Sequence, residues 1–154
     1  MIRRDIRPIL ILACGNTLRG DDGVAWRIAS LLEEDQQYDG IDITCTQQLL
    51  PEHAELVSAS DQVIFLDCSA LTAAGTVTST PVEPAESLPS LFTHNLDPAA
   101  LLRLALDLYG RAPSRAVLIT VGAHSVDLNE ELSAPVAAAI PLVIDAIRHT
   151  VLVS

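Results

Sequence analysis

The sequence predicts an α/β protein in which helices cover a mainly parallel sheet. Short apolar runs of strand length alternate with segments whose apolar residues recur at helical spacing. The chain has 154 residues, of which 49% are hydrophobic. That is enough for one substantial core, so residues 1–154 are expected to form a single domain.

Five apolar runs predict the strands. They lie at residues 8–14, 41–46, 62–68, 75–80 and 116–122. The fourth run follows the third after only a few residues, which is too short a connection for a parallel crossover. We therefore expect residues 75–80 to run antiparallel to residues 62–68 or to lie at an edge of the sheet.

Helical spacing predicts four helices between and after these strands. The first begins after residue 23, and the second spans residues 51–60. The third runs from Asp97 to Gly110, and the fourth runs from Ser133 to about Val151. Asp97 is expected to cap the third helix, with Pro98 at its first position and Gly110 at its end. Pro141 should kink or interrupt the last helix.

Charge and composition exclude several classes of function. The net charge is −11, from 9 basic and 20 acidic residues, which argues against nucleic acid or an anionic membrane as partner. The sequence contains no lysine, and the segment ACGNTLRG matches neither a dinucleotide nor a phosphate-loop pattern, so no nucleotide cofactor is expected. No apolar run approaches the roughly 20 residues that cross a bilayer. The three cysteines are not paired in spacing and suit a reducing cytoplasm.

Acidic and imidazole side chains are predicted at one edge of the sheet. Asp21 and Asp22 follow the first strand, Asp67 ends the third strand, and His94 lies in a long loop before a helix. Ligands of open α/β sheets bind beyond the carboxyl ends of the strands. Two carboxylates and one imidazole from separate segments could hold a divalent metal with open coordination positions.

Each candidate residue also has a simpler explanation. Asp21 or Asp22 could cap the first helix, Asp67 could accept backbone hydrogen bonds at a strand end, and His94 could be an exposed loop residue. Adjacent side chains face apart, so Asp21 and Asp22 are not expected to share one role. Cys68 lacks a paired base, which makes it a poor candidate nucleophile.

Four motifs, in order, resemble the hydrogenase maturation endopeptidases (peptidase family M52). They are GNTLRGDDGVAWRIASLL, VIFLDCSA, HNLDPAALLRLA and ELSAPVAAAI, and they run through nearly the whole chain. The resemblance implies a three-layer α/β/α sandwich with a five-stranded mixed sheet, of the phosphorylase/hydrolase-like kind. The chain departs from the family at Ala13 and Ala25, where glycine is usual, and at Cys68, where alanine is usual. These departures bear on loop geometry and substrate choice rather than on the proposed ligands.

The resemblance also implies a function. Such proteins are cytoplasmic hydrolases that remove a C-terminal extension from the precursor of the nickel–iron hydrogenase large subunit after nickel insertion. The metal-contacting residues would be Asp22, Asp67 and His94, around nickel supplied with the substrate, while Asp21 would support or cap the helix start. No residue identifies itself as the nucleophile. Asp22 and Asp67 are the suspected catalytic residues, which would make the enzyme an aspartic-type endopeptidase.

Two other functions stay open from the sequence. A non-catalytic adaptor of the same fold, handling metal or binding the precursor, would bind the precursor without cleaving it. A hydrolase of a small molecule would act without a protein partner, because fold alone does not fix function. The ordered motifs favour the endopeptidase over both, although the sequence does not separate it from the adaptor.

Overall fold

A five-stranded mixed sheet forms the middle layer of the fold, which a computed structural model describes for residues 8–88 and 96–152. The strands are β1 (Ile9–Cys14), β2 (Ile41–Thr46), β3 (Gln62–Ser69), β4 (Val77–Pro81) and β5 (Arg115–Gly122). Their order in the sheet is β2-β1-β3-β5-β4, and only β4 is antiparallel to its neighbour. The predicted mainly parallel sheet is therefore confirmed.

The position of β4 settles an alternative that the sequence left open. β4 lies at the edge of the sheet and pairs with β5, not with β3. Both sides of β3 are already occupied, by β1 and by β5, so the strand that follows β3 in sequence cannot pair with β3. The edge position is confirmed. β4 also runs antiparallel to β3 without pairing with it, because β5 is parallel to β3 and antiparallel to β4.

Four helices cover the two faces of the sheet. They are α1 (Val24–Glu33), α2 (His53–Ser58), α3 (Pro98–Tyr109) and α4 (Ala134–Leu152). Helices α1 and α4 share one apolar cluster with the sheet, and α2 and α3 share a second cluster on the opposite face. The fold is thus the three-layer α/β/α sandwich that the resemblance implies.

The strands alternate their side chains between these two clusters. In β1, Ile11 belongs to the α1 and α4 side, whereas Leu10 and Leu12 belong to the α2 and α3 side. All three are fully buried. Because both faces are covered, both sets of positions must be apolar, and this explains the continuous apolar runs in the sequence.

The ends of α3 form as predicted. The amide of Ala100 donates to the Asp97 carboxylate at 2.7 Å, Pro98 occupies the first turn, and Gly110 ends the helix with a φ of 70°. In contrast, α4 runs unbroken through Pro141, so the predicted interruption is wrong. Pro141 lies on the exposed side of α4, where the carbonyl left without a donor can be hydrated.

Helix α4 has the length and composition of a membrane span. This differs from the expectation that no segment of the chain is apolar enough to cross a bilayer. Residues 134–151 have a mean hydropathy of 1.3, and 28% of them are buried. The expectation counted uninterrupted apolar runs, whereas mean hydropathy tolerates the polar residues spaced along α4. Val136, Val143 and Ile147 are fully buried against the sheet. In this structure α4 is an outer-layer helix with one face on the sheet.

Candidate metal centre

The loop after β1 holds Asp22 above the carboxyl ends of the strands. Gly15, directly after β1, has a φ of 152°, and a Cβ there would lie 1.9 Å from the carbonyl oxygen of Asp22. Only glycine allows this close approach. The amide of Asn16 donates to Oδ2 of Asp22 at 2.9 Å. These contacts fix the Asp22 carboxylate in place.

Ala13 and Ala25, at positions where the family that the motifs resemble usually has glycine, lie in the core. Ala13 is fully buried in β1, and Ala25 is 1% exposed in α1. Both pack in the cluster on the α1 and α4 side of the sheet. Their methyl groups therefore fill space beside the loop. Within the loop, Gly15 and Gly23 are the positions that other backbone atoms approach closely.

Asp67 and Cys68, at the end of β3, meet Asp22. The Cys68 thiol donates to Oδ1 of Asp22 at 3.1 Å, and the Cys68 amide donates to Oδ1 of Asp67 at 2.8 Å. One ligand atom from each of the three residues lies within 4.8 Å of the other two, and all three residues are half-buried. Among residues 8–88 and 96–152, this is the one such group that could hold a metal ion.

The structure thus brings together two of the three residues predicted for the metal site. Asp22 and Asp67 converge as expected from their positions after β1 and at the end of β3. His94 lies outside the described residues, and its role as a ligand stays a prediction. Cys68 was not among the predicted ligands, and its place next to Asp67 at a strand end was the available signal.

A cavity borders Asp67 on the side of the sheet that carries α2 and α3. Its volume is about 270 Å³. Gln48, Asp97 and Thr120 contribute polar groups to its lining, and Phe65 contributes an apolar surface. Asp67 therefore borders open space on this side of the sheet.

The electrostatic setting of Asp67 suits a cation. Burial raises the pKa of Asp67 to about 6, against the opposing hydrogen bond from the Cys68 amide, and the nearby Asp22 carboxylate raises it further. A buried carboxylate beside a second carboxylate is destabilised when ionised, and a positive ion between them removes that penalty. The donor set therefore fits a divalent metal.

The thiols near the site are poor nucleophiles. Burial, the hydrogen bond to Asp22 and the charges of the surrounding carboxylates raise the pKa of Cys68. Burial and the nearby Asp67 likewise raise the pKa of Cys14 to about 12. Since the thiolate is the reactive form, the low expectation for Cys68 as a catalytic nucleophile agrees with its surroundings.

Asp21 has a different role from its neighbour. Its carboxylate is fully buried and accepts hydrogen bonds from the amides of His124, Ser125 and Ser133 and from the Ser133 hydroxyl, at 2.7–2.9 Å. Burial alone would raise the pKa of Asp21, but these hydrogen bonds outweigh it and the pKa is lowered. Asp21 binds the connection between β5 and α4.

Asp21 was expected to support or to cap the start of the first helix, and of these two roles capping is wrong. The residue at the cap position of α1 is Gly23, and no side chain caps this helix. The 3₁₀ turn Gly20–Gly23 directs the Asp21 carboxylate away from α1, toward four donors contributed by the chain after β5. The expectation that Asp21 and Asp22 serve different roles is confirmed.

Comparison with solved structures identifies proteins of the same fold. The hydrogenase maturating endopeptidase HybD from E. coli is 27% identical, with 93% of each chain covered and a TM-score of 0.68. A structure described as an endopeptidase from Escherichia coli is 25% identical, with 91% of this chain and 89% of that chain covered and a TM-score of 0.69. The hydrogenase 2 maturation peptidase from Thaumarchaeota archaeon SCGC_AB-539-E09 is 24% identical, with 96% and 100% covered and a TM-score of 0.71. No protein-family model and no curated protein matches the sequence.

The likeness of this chain to structures named as endopeptidases supports a hydrolase of the peptidase class. More particularly, the similarity to a hydrogenase maturating endopeptidase over 93% of the chain confirms the resemblance read from the motifs. The expectation of an aspartic-type endopeptidase is wrong, because the structures that the chain resembles are hydrogenase maturation peptidases, a distinct protease family.

The buried Asp21 carboxylate predicts a large loss of stability in Asp21→Asn. The amide NH₂ of asparagine would face backbone donors, so the free energy of unfolding at pH 7 should fall by about 2–4 kcal/mol. Urea unfolding measures this change. Asp39→Asn, at an exposed position, is the control and should change stability by less than about 0.5 kcal/mol.

The contribution of Asp21 to the free energy of unfolding should depend on pH. A lowered pKa stabilises the fold at pH values above the unfolded value of 3.8, and this contribution is lost as the pH falls through the folded pKa. The difference between wild type and Asp21→Asn should therefore shrink below pH 3.8. A difference that stays constant on acidification contradicts this role for Asp21.

The raised pKa of Asp67 predicts the opposite dependence of stability on pH. Its raised pKa stabilises the fold fully below pH 3.8, and this contribution is lost as the pH rises through about 6. With a chelator present, Asp67→Asn should be more stable than wild type at pH 8 by about 1–3 kcal/mol, because asparagine keeps an acceptor for the Cys68 amide without the charge. At pH 4 the advantage should be small. Equal or lower stability of the variant at pH 8 would refute the prediction.

Proposed function

We propose that this chain is an endopeptidase that removes the C-terminal extension from the precursor of a nickel–iron hydrogenase large subunit. The observation that carries the proposal is the convergence of Asp22 and Asp67 at the carboxyl edge of a sheet that has the fold of HybD. HybD is named a hydrogenase maturating endopeptidase and matches 93% of this chain. The fold, the acidic edge and the ordered motifs support the same substrate.

Nickel belongs to the substrate in this proposal. The precursor would arrive with nickel inserted, and Asp22, Asp67 and the predicted ligand His94 would contact the ion. Carboxylate and imidazole ligands are compatible with nickel and leave positions for ligands from the precursor. A precursor held in this way has its scissile peptide at a fixed place on the enzyme, which lowers the entropic cost of reaction.

The chain's own residues would orient the precursor. The Asn16 amide donates to one oxygen of Asp22, and the Cys68 amide donates to one oxygen of Asp67, so each carboxylate has a preferred orientation. The cavity beside Asp67 would receive the segment that adjoins the metal. Its polar lining, from Gln48, Asp97 and Thr120, can hydrogen-bond to an extended backbone.

The cysteines and the net charge bear on the location of the enzyme and on its class of partner. We place it in the cytoplasm, because all three cysteines are free. The net charge of −11 disfavours binding to nucleic acid and is compatible with a protein partner. The adaptor alternative is not favoured, since the structures that the chain resembles are named endopeptidases and peptidases.

Cleavage of the nickel-loaded precursor tests the proposal. Wild-type protein should shorten the precursor, and Asp22→Ala should reduce the rate by at least about 100-fold, because misplacement of the reacting bond costs that much. Mass spectrometry of the precursor before and after incubation measures cleavage. Asp39→Ala is the matched control and should cleave at the wild-type rate, because Asp39 is exposed and lies outside the site.

Two outcomes contradict the proposal. Full activity of a folded Asp22→Ala variant would remove Asp22 from the site. Stable binding of the nickel-loaded precursor by wild type, without cleavage, would favour the adaptor.

Titration with nickel and with cadmium tests the residue assignment separately. Asp22→Ala, Asp67→Ala and His94→Ala should each lower the affinity by at least about tenfold, or about 1.4 kcal/mol, since each removes a proposed ligand. Calorimetry measures the affinity. His149→Ala, on the exposed side of α4, is the control for His94→Ala. Unchanged affinity in His94→Ala would exclude that histidine, and unchanged affinity in all three variants would place the metal elsewhere.

A further inference from the structure

Cys68 occupies an unusual position at the end of β3. Adjacent strand residues point to opposite faces of a sheet, and Cys68 packs on the α1 and α4 side, whereas Asp67 lines the cavity on the α2 and α3 side. At the strand end, however, both side chains reach the Asp22 carboxylate that lies above them. The thiol is therefore part of the acidic group, not of the core alone.

The distances fit a shared ion. Bonds of about 2.0–2.3 Å to oxygen and sulfur place neighbouring donor atoms roughly 3–4 Å apart around a four-coordinate metal. The Cys68 sulfur already lies 3.1 Å from Oδ1 of Asp22, and all three ligand atoms lie within 4.8 Å of one another. Small side-chain rotations would bring them to coordination distance.

A purely structural role explains less of the geometry. A small buried side chain would fill the space beside the core, and the thiol would only donate a weak hydrogen bond to Asp22. Cys68 is half-buried and its sulfur belongs to the group of potential ligand atoms, whereas the other two cysteines do not belong to that group. Cys68 is thus the cysteine that can add a thiol donor to Asp22 and Asp67.

We propose that Cys68 supplies a thiolate ligand to the metal held by Asp22 and Asp67, so that the protein's donor set at this point is two oxygens and one sulfur. The inference rests on the metal site of the proposed function. On binding, the S–H bond of Cys68 breaks, its proton passes to solvent, and a sulfur–metal bond forms without a change of oxidation state. The hydrogen bond from Cys68 to Asp22 is replaced by coordination of both residues to the same ion.

The sulfur ligand gives the site a metal preference. Thiolate donors favour nickel, zinc and cadmium, whereas sites made only of oxygen suit magnesium, calcium and manganese. Cys68 would therefore tune the site toward soft and borderline ions. A purely oxygen-ligated pair of carboxylates would not make this distinction.

Spectroscopy on the metal-loaded protein tests the proposal without an activity assay. Titration of wild type with cadmium, and separately with nickel, should produce a sulfur-to-metal charge-transfer band that saturates at one ion per chain. Cys68→Ser should abolish the band while keeping a side chain of similar size. It should also lower the ratio of cadmium to manganese affinity by about tenfold, because only the soft ion loses its preferred donor.

Cys45→Ser is the matched control. Cys45 lies in β2, is half-buried like Cys68, and is outside the group of ligand atoms, so its variant should keep the band and the affinity ratio. Circular dichroism of each variant confirms that it folds.

The outcomes separate this inference from the proposal on which it rests. Metal binding by wild type that is weakened by Asp22→Ala but shows no charge-transfer band would overturn the role of Cys68 and leave the carboxylate site intact. A band that survives Cys68→Ser would assign the sulfur to another cysteine. No binding of either ion to wild type would overturn the role of Cys68, whereas the proposed function is decided separately by cleavage of the nickel-loaded precursor.

Discussion

The buried Asp21 carboxylate is the constraint on which the site depends. It accepts four hydrogen bonds from the connection between β5 and α4, and the backbone of the same loop adds bonds from Gly20 to Asn129 and from Asp21 to Ser125. A buried charge is tolerated when its oxygens are satisfied in this way. The loop that presents Asp22 is therefore held by a segment more than 100 residues later in the chain.

Asp21 and Asp67, both at this edge of the sheet, differ in that the first contributes to stability and the second to the candidate site. Asp21 is surrounded by donors, which lower its pKa, and it holds the structure together. Asp67 faces a second carboxylate, and burial raises its pKa, so its ionised form destabilises the metal-free fold. Perturbed carboxylates of the second kind are typical of functional sites, because binding of a cation recovers the cost.

The parallel sheet decides where such residues can meet. β3 lies between β1 and β5, with both faces covered, so its interior positions are apolar and only its carboxyl end is open to polar chemistry. The loop after β1 crosses above this end. Asp67 and Cys68 consequently meet Asp22 even though their side chains start on opposite faces of the sheet.

The sequence by itself determined the layers, the strands, the cap of α3 at Asp97 and the meeting of Asp22 with Asp67. Each of these follows from local periodicity, local capping chemistry, or the rule that parallel strands end at one edge. Only the tertiary structure decided the partner of β4, the role of Asp21 and the contact of Cys68 with Asp22. The Asp21–Ser133 and Cys68–Asp22 hydrogen bonds join residues 112 and 46 positions apart, and local sequence carries no signal for contacts at that separation.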